Sequence, residues 1–224
     1  MKSIKSLFFV PGLGCDRRIF EDLEPLLNHP NLDVQHLEFI EPIHSNERIP
    51  EYAQRLKESL PSPEEPCMII GLSLGGMISV ELSRLVNCQQ LILISTMKHN
   101  SEAPWFFKPL RVVPIYKLVP SWFTRQMVPR LARTMGVSNR EDSLRYHAML
   151  KDRTATHLRW ARGAAVRWNN EEWPTDYVHI HGTKDHIFKH KKVKPDFTIE
   201  GGTHNMVMDR AEEIAAIINS KMGW

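Results

Sequence analysis

Apolar residues occur along the chain in two recurring patterns, one typical of strands and one typical of helices. Several short runs are continuously apolar, as expected for strands buried on both faces of a parallel sheet. One further segment alternates partly between apolar and polar residues. Together these patterns predict six strands, at residues 6–10, 32–39, 67–71, 91–95, 177–181 and 197–199.

Apolar positions spaced by three or four residues predict helices between these strands. Leu74, Ile78, Leu82 and Leu85 follow the third strand in this way. Similar spacing occurs at residues 20–27, 49–60 and 207–218. Strands that alternate with helices indicate an α/β fold, in which a mostly parallel six-stranded sheet is covered by helices on both faces.

The regular alternation stops between the fourth and fifth predicted strands. Residues 97–170 are rich in Trp, Phe, Met, Pro and Arg, and weaker helical spacing occurs at 122–131, 144–150 and 158–168. Residues 98–170 contain 14 Lys or Arg and 4 Asp or Glu, whereas the whole chain has a net charge of +3. This difference in composition and charge predicts an inserted region with its own role.

Two interpretations are open for the basic and aromatic residues of this region. The positive charge is either a solvated face or a means of attracting an anionic substrate or surface. No nucleic-acid-binding motif accompanies the charge, so nucleic acid is not expected as a partner. The aromatic side chains either pack the region onto the sheet or line an acyl pocket; they are Trp105, Phe106, Phe107, Trp122 and Phe123.

The overall composition is that of a soluble globular protein, with 42% apolar and 25% charged residues among 224. No apolar stretch approaches the roughly 20 residues that span a bilayer, and the run at 7–10 is too short for the core of a signal peptide. The odd number of cysteines (Cys15, Cys67 and Cys88) predicts reduced thiols in a cytoplasmic protein. No metal-ligand spacing is present, and we expect neither a metal nor a cofactor.

The sequence GLSLG at residues 71–75 joins the third strand to the helix that follows it. A serine at such a corner, with a glycine two places away on either side, is typical of a nucleophile elbow. The sharp turn forces the serine into strained backbone angles, and Gly71 and Gly75 let the strand and the helix approach each other. Ser73 is therefore a candidate nucleophile, presented above the free N–H groups of a helix N-terminus.

Two later loops carry residues that could activate this serine. Asp185 follows the fifth predicted strand and His204 follows the sixth. The carboxyl ends of parallel strands converge at one edge of a sheet, so we expect both side chains near Ser73. A histidine can take the proton of a serine, and a buried carboxylate holds that histidine in the required tautomer. The order Ser, Asp, His along the chain is the one expected with an elbow serine.

Other assignments are open at this point. Asp185 could serve only to form a turn, and His204 could serve only as a helix cap. Two further carboxylates precede the fifth strand and so should lie at its opposite end, and two further histidines lie close to Asp185 in sequence. These alternatives are Glu172 and Asp176 as acids, and His181 and His186 as bases.

Four segments taken in order resemble the α/β-hydrolase superfamily, and the resemblance spans nearly the whole chain. The segments are residues 9–14, 71–76, 181–185 and 201–204. The resemblance implies that Ser73 is the nucleophile, Asp185 the acid and His204 the base of a catalytic triad. It also implies a division of the chain into an α/β-hydrolase core (residues 1–96 and 171–224) and a helical cap insertion (residues 97–170).

The same resemblance implies an oxyanion hole made of two backbone N–H groups. These groups belong to Leu74, which follows the serine, and to Leu13, in the loop after the first strand. The loop departs from the family pattern, because Pro11-Gly12 stands where many members have His-Gly. Its hydrogen bonding is therefore expected to differ from theirs.

Taken together, these features predict a cofactor-free serine hydrolase that cleaves a carboxylic ester or thioester of small to medium size through an acyl-enzyme. Two alternatives use the same site differently. An acyltransferase would pass the acyl group to an acceptor other than water, and a ligand-binding protein would use the pocket without turnover. An intact set of Ser, His and Asp argues against the last, since binding alone does not require it.

Overall fold

The sheet is six-stranded and all-parallel in a computed structural model that describes residues 4–132, 135–137 and 139–224. Its strands lie in the order β2-β1-β3-β4-β5-β6. The strands are β1 (Ser6–Val10), β2 (Asp33–His36), β3 (Cys67–Leu72), β4 (Cys88–Ile94), β5 (Tyr177–Gly182) and β6 (Phe197–Ile199). The predicted α/β class, strand number and parallel pairing are confirmed.

Helices connect the strands and cover the sheet. Within the described ranges they are α1 (Ile49–Glu58), α2 (Leu74–Ser83), α3 (Phe107–Val112), α4 (Ser121–Ala132), α5 (Arg140–Asp152), α6 (Ala155–Arg167), α7 (His190–Val193), α8 (Met206–Asp209) and α9 (Ala211–Met222). None of the described helices is long and apolar enough to cross a bilayer.

The two faces of the sheet bury two separate apolar clusters, because neighbouring strand residues point to opposite sides. Leu7 and Phe9 of β1 belong to the cluster under α9, whereas Phe8 and Val10 belong to the cluster under α1, α2 and α6. All four side chains are at most 2% exposed. Burial on both faces is the physical reason that the strands read as continuous apolar runs in the sequence.

Three predicted elements differ from the observed ones. The helix predicted at 20–27 is instead two short 3₁₀ turns, Arg17–Phe20 and Glu24–Leu26, and Pro25 lacks the N–H that an α-helix would need there. The closing helix is interrupted at Arg210, whose φ of −131° lies outside the helical region, so α8 and α9 are separate. The second strand spans four residues, fewer than predicted.

The segment between β4 and β5 is mainly helical and contains α3 to α6. Trp160 of α6 is fully buried, stacks on Tyr52 of α1 at 4.2 Å between ring centroids, and donates from Nε1 to the Glu47 carbonyl at 3.0 Å. This helix therefore packs directly on the layer that covers the sheet. The division into a core and a cap at residues 97–170 stays a prediction.

Candidate active site

Ser73 lies at the corner between β3 and α2, in the strained backbone conformation expected of an elbow. Its φ of 52° and ψ of −116° are costly for any residue with a side chain. A Cβ on Gly75 would lie 2.2 Å from the Val10 carbonyl oxygen, and one on Gly71 would lie 2.7 Å from Gly76 Cα. The two glycines are therefore required sterically, because they let α2 start against the neighbouring strand ends.

The structure brings together the three residues that the sequence singles out. The Ser73 hydroxyl lies 2.9 Å from His204 Nε2, and His204 Nδ1 lies 2.8 Å from Asp185 Oδ2. Since the carboxylate can only accept from Nδ1, Nε2 is left free to accept the hydroxyl proton. His204 and Asp185 are each 4% exposed, so this chain of hydrogen bonds is largely shielded from water.

Asp185 is held as a carboxylate by the loop that follows β5. Its Oδ1 accepts hydrogen bonds from the backbone N–H groups of Ile187 at 2.7 Å and Phe188 at 2.9 Å, which leaves Oδ2 for His204. Burial opposes its ionisation most strongly, but the nearby imidazoles of His204 and His181 and the Phe188 N–H outweigh burial. The pKa of the Asp185 carboxyl is therefore lowered from its ordinary value.

The alternative acids and bases lie elsewhere or have other partners. His181 Nε2 donates to the Phe188 carbonyl at 2.7 Å and reaches Asp185 Oδ2 only at 3.3 Å. His186 is exposed. Glu172 and Asp176 both precede β5 and so lie at the amino end of the strand, away from the edge that holds Ser73. Among the candidate acids and bases, His204 and Asp185 are the pair that forms a continuous chain of hydrogen bonds with the Ser73 hydroxyl.

His181 gives a testable pH dependence of stability. Burial lowers the pKa of its imidazole from 6.5 to about 4. Between these two pH values His181 is therefore protonated in the unfolded chain and neutral in the folded chain. The free energy of unfolding should therefore fall as the pH drops from 6.5 to 4, by up to about 3 kcal/mol for this residue. We expect His181→Gln to flatten this dependence, as measured by urea unfolding at several pH values.

His186, which is exposed and lies in the loop that follows β5, provides the control. His186→Gln should keep the wild-type slope of the unfolding free energy against pH. Other buried histidines contribute to the same window, for example His157, whose pKa is lowered to about 4 by burial and by Arg153. The slope in His181→Gln should therefore be reduced but not abolished, and equal slopes in the two variants would contradict the assignment.

Ser73 and His204 open into a cavity of about 330 Å³. Its lining is mainly apolar, which favours binding of a hydrocarbon group. The segment between β4 and β5 supplies part of the wall, from α3, α5, α6 and the connections between them. These residues are Phe107, Tyr116, Met135, Tyr146, Arg162, Ala165 and Val166.

Of the five aromatic residues considered as a possible acyl pocket, Phe107 lines the cavity. Trp105, Trp122 and Phe123 are 74%, 58% and 41% exposed; they do not line the cavity and are not part of the two apolar clusters of the sheet. The sequence pattern missed Tyr116, Tyr146 and Arg162 as cavity residues. The basic composition of residues 98–170 pointed to this segment, but it could not single out one arginine.

Leu13 and Leu74 also line the cavity, on either side of the serine in the fold. Leu74 is the first residue of α2, where a backbone N–H has no partner within its own helix. In the part of the chain that the structure describes, neither Leu13 N–H nor Leu74 N–H donates to another residue. Both groups are therefore available to a ligand, and their role as an oxyanion hole stays a prediction.

Cys15 also lines the cavity, but its thiol is not a candidate nucleophile. Burial, with a smaller contribution from Asp16, raises the pKa of the Cys15 thiol to about 12, so the thiol stays protonated in the cavity wall. Over the described ranges, no three His, Cys, Asp or Glu side chains are grouped so that they could hold a metal ion.

The comparisons with known proteins agree with this architecture. The sequence model of the alpha/beta hydrolase family matches residues 7–217, and the chain belongs to this family. No curated protein sequence matches it significantly.

Several solved structures share the fold at low sequence identity. A hydrolase from Pseudomonas aeruginosa is 14% identical with a TM-score of 0.73, covering 100% of this chain and 92% of its own. A thermophilic esterase from Thermogutta terrifontis is 16% identical with a TM-score of 0.70, and the match covers 97% of this chain and 89% of the esterase. An enol-lactonase from Burkholderia xenovorans is 16% identical with a TM-score of 0.72, and the match covers 99% of this chain and 92% of the lactonase.

Proposed function

We propose that the protein is a cofactor-free serine hydrolase that cleaves a carboxylic ester or thioester through an acyl-enzyme on Ser73. The observation that carries the proposal is the continuous chain of hydrogen bonds from Ser73 Oγ through His204 to Asp185, open to an apolar cavity. Each group has the partner that its chemical role requires. The thermophilic esterase and the enol-lactonase, which have the same fold, support this proposal by analogy.

In the first step His204 Nε2 takes the Ser73 proton as the oxygen attacks the carbonyl carbon. Asp185 stabilises the imidazolium that forms, and its own lowered pKa keeps it ionised. The negative oxygen of the tetrahedral intermediate accepts hydrogen bonds from the Leu13 and Leu74 N–H groups. His204 then gives its proton to the leaving oxygen or sulfur, and the acyl group stays on Ser73.

In the second step water replaces the leaving group. His204 takes a proton from the water, the hydroxide attacks the acyl-enzyme, and collapse of the second intermediate returns the proton to Ser73 Oγ. The products are a carboxylic acid and an alcohol or thiol. Apart from the substrate and one water molecule, no other reactant is needed to balance the two steps.

The cavity limits the size of the substrate. Its volume of about 330 Å³ is at the low end of ligand pockets, which favours a small to medium acyl group. Residues 97–170 act in this proposal as the cap, because Phe107, Tyr116, Tyr146 and Arg162 form much of the wall that is not made by the sheet domain.

The proposal is tested by trapping the nucleophile. A fluorophosphonate should add once to the protein, and peptide mass mapping should locate the adduct on Ser73. Turnover of short 4-nitrophenyl esters should be lost in proportion to labelling. Labelling of another residue, or full esterase activity in labelled protein, would refute the assignment. Product analysis with an added alcohol separates hydrolysis from acyl transfer, since transfer would yield a new ester.

A further inference from the structure

Arg162 of α6 gives the cavity a fixed charge. Apart from it, the lining contains no Asp, Glu, Lys or Arg among the described residues, and the wall is otherwise mainly apolar. A guanidinium stays protonated in proteins, so the charge is present at any working pH.

The hydrogen bonds of Arg162 use only part of its donor capacity. Nη1 donates to Thr124 Oγ1, and Nη2 donates to the Val119 carbonyl at 2.8 Å. Nε is buried and has no hydrogen-bond partner among the described residues. Because a guanidinium has five N–H groups, three of them have no acceptor in the described part of the protein.

No carboxylate compensates this charge. Arg162 forms no salt bridge with any described residue, and the residues outside the described ranges include no Asp or Glu. Burial, and to a lesser extent the charge of Arg159, lower the pKa of Arg162 from its ordinary value. Both effects mean that the protonated guanidinium lacks stabilisation in the structure.

Two other arginines of the segment between β4 and β5 have more partners than Arg162 and serve to hold the structure together. Arg145 pairs with three carboxylates, those of Glu21, Asp22 and Asp142. Arg111 donates to four oxygens, including the Val166 and Trp168 carbonyls at the end of α6, and it does not line the cavity. Arg162 has two acceptors and no counter-charge among the described residues. Arg125 and Arg167 also lack a counter-charge there, but Arg162 differs from both because it lines the cavity.

We propose that Arg162 binds a carboxylate of the substrate, so that the enzyme acts on esters or thioesters that carry a second, ionised acid group. This inference rests on the proposed function, whose site shares the cavity with Arg162. The N–H groups that remain on Nη1 and Nη2 can each donate to one oxygen of a carboxylate, which supplies two of the three missing acceptors and the missing counter-charge together. The carboxylate can belong to the acyl part or to the leaving group, and the experiment separates these two sources.

Two pairs of substrates isolate the charge from the size of the substrate. On the acyl side, mono-4-nitrophenyl adipate is compared with its neutral isostere, 4-nitrophenyl 6-methylheptanoate. On the leaving-group side, 4-(butanoyloxy)benzoate is compared with 4-acetylphenyl butanoate. For each pair the measured quantity is the ratio of kcat/KM for the anionic ester to that for the neutral ester.

We expect Arg162→Gln to lower this ratio by about 10- to 100-fold in one of the two pairs, the effect of losing a charge-assisted hydrogen-bonded pair. Arg162→Lys, which keeps the charge without the planar fork, should give an intermediate ratio. Arg159→Gln removes the same charge from an exposed position three residues earlier on the same helix. It should leave both ratios at the wild-type value.

The ratio distinguishes recognition from packing. If Arg162 serves only to tie α6 to Thr124 and Val119, then Arg162→Gln will slow anionic and neutral esters equally, and unchanged ratios in both pairs overturn the inference. A drop of the ratio in Arg159→Gln as large as that in Arg162→Gln would also overturn it, because the effect would then be long-range.

A binding measurement separates this inference from the proposed function. In Ser73→Ala protein, calorimetric titrations with monomethyl adipate and with 4-(butanoyloxy)benzoate should give, for one of the two ligands, an affinity that Arg162→Gln weakens about 10-fold or more. Equal affinities with and without Arg162 for both ligands count against the inference even if esters are hydrolysed. Conversely, Ser73→Ala protein that turns over esters like the wild type refutes the proposed nucleophile whatever the binding result.

Discussion

Ser73→Ala is expected to lower kcat for short 4-nitrophenyl esters by at least about 10⁴-fold. The substitution removes the oxygen that lies 2.9 Å from His204 Nε2, and no other described side-chain oxygen is hydrogen-bonded to that nitrogen. The cavity wall also holds the thiol of Cys15, but its pKa of about 12 keeps it protonated. The measurement is steady-state kinetics with the same esters, together with loss of fluorophosphonate labelling.

Ser79 provides a matched control on the same helix. Its side chain is fully buried in α2, its Oγ has no hydrogen-bond partner among the described residues, and it does not line the cavity. Ser79→Ala therefore removes a buried hydroxyl without touching the site, and activity should stay within about twofold of the wild type. Comparable losses in the two variants, with circular dichroism unchanged, would mean that the hydroxyl of Ser73 has no special part.

Asp185→Asn is expected to lower kcat by about 10⁴-fold while the protein stays folded, as the same change does in the well-studied serine proteases. The backbone N–H groups of Ile187 and Phe188 need an acceptor, so the amide oxygen takes the place of Oδ1. The amide NH₂ then faces His204 Nδ1 and donates to it. This forces the proton of the imidazole onto Nε2, which can no longer accept the proton of Ser73.

Asp176→Asn tests the same change at the alternative acid. Asp176 lies at the amino end of β5, where its carbonyl accepts from Leu91 N–H at 3.0 Å, and its φ of 48° suits an asparagine. Its substitution should leave kcat unchanged. If Asp176→Asn abolishes activity and Asp185→Asn does not, the assignment of the acid is wrong.

Local pattern made much of this fold predictable. The runs at residues 7–10, 67–72 and 91–94 are continuously apolar because both faces of the sheet are covered, so every residue in them is buried. The glycines around Ser73 are predictable for a similar reason, since a Cβ added to Gly75 would lie 2.2 Å from the Val10 carbonyl oxygen. The helix predicted at residues 20–27 from its apolar spacing was wrong, because Pro25 has no N–H for an α-helical hydrogen bond and the chain forms a short 3₁₀ turn at Glu24–Leu26.

The sequence by itself determined the parallel α/β sheet and the identity of the three residues now found hydrogen-bonded at its carboxyl edge. Both follow from local rules of strand, turn and helix. Only the tertiary structure decided that Asp185 bonds His204 in preference to His181 and that Arg162 is the arginine in the cavity wall. Those outcomes depend on contacts between distant segments, such as Arg162 with Thr124 and Trp160 with Glu47, which no local spacing encodes.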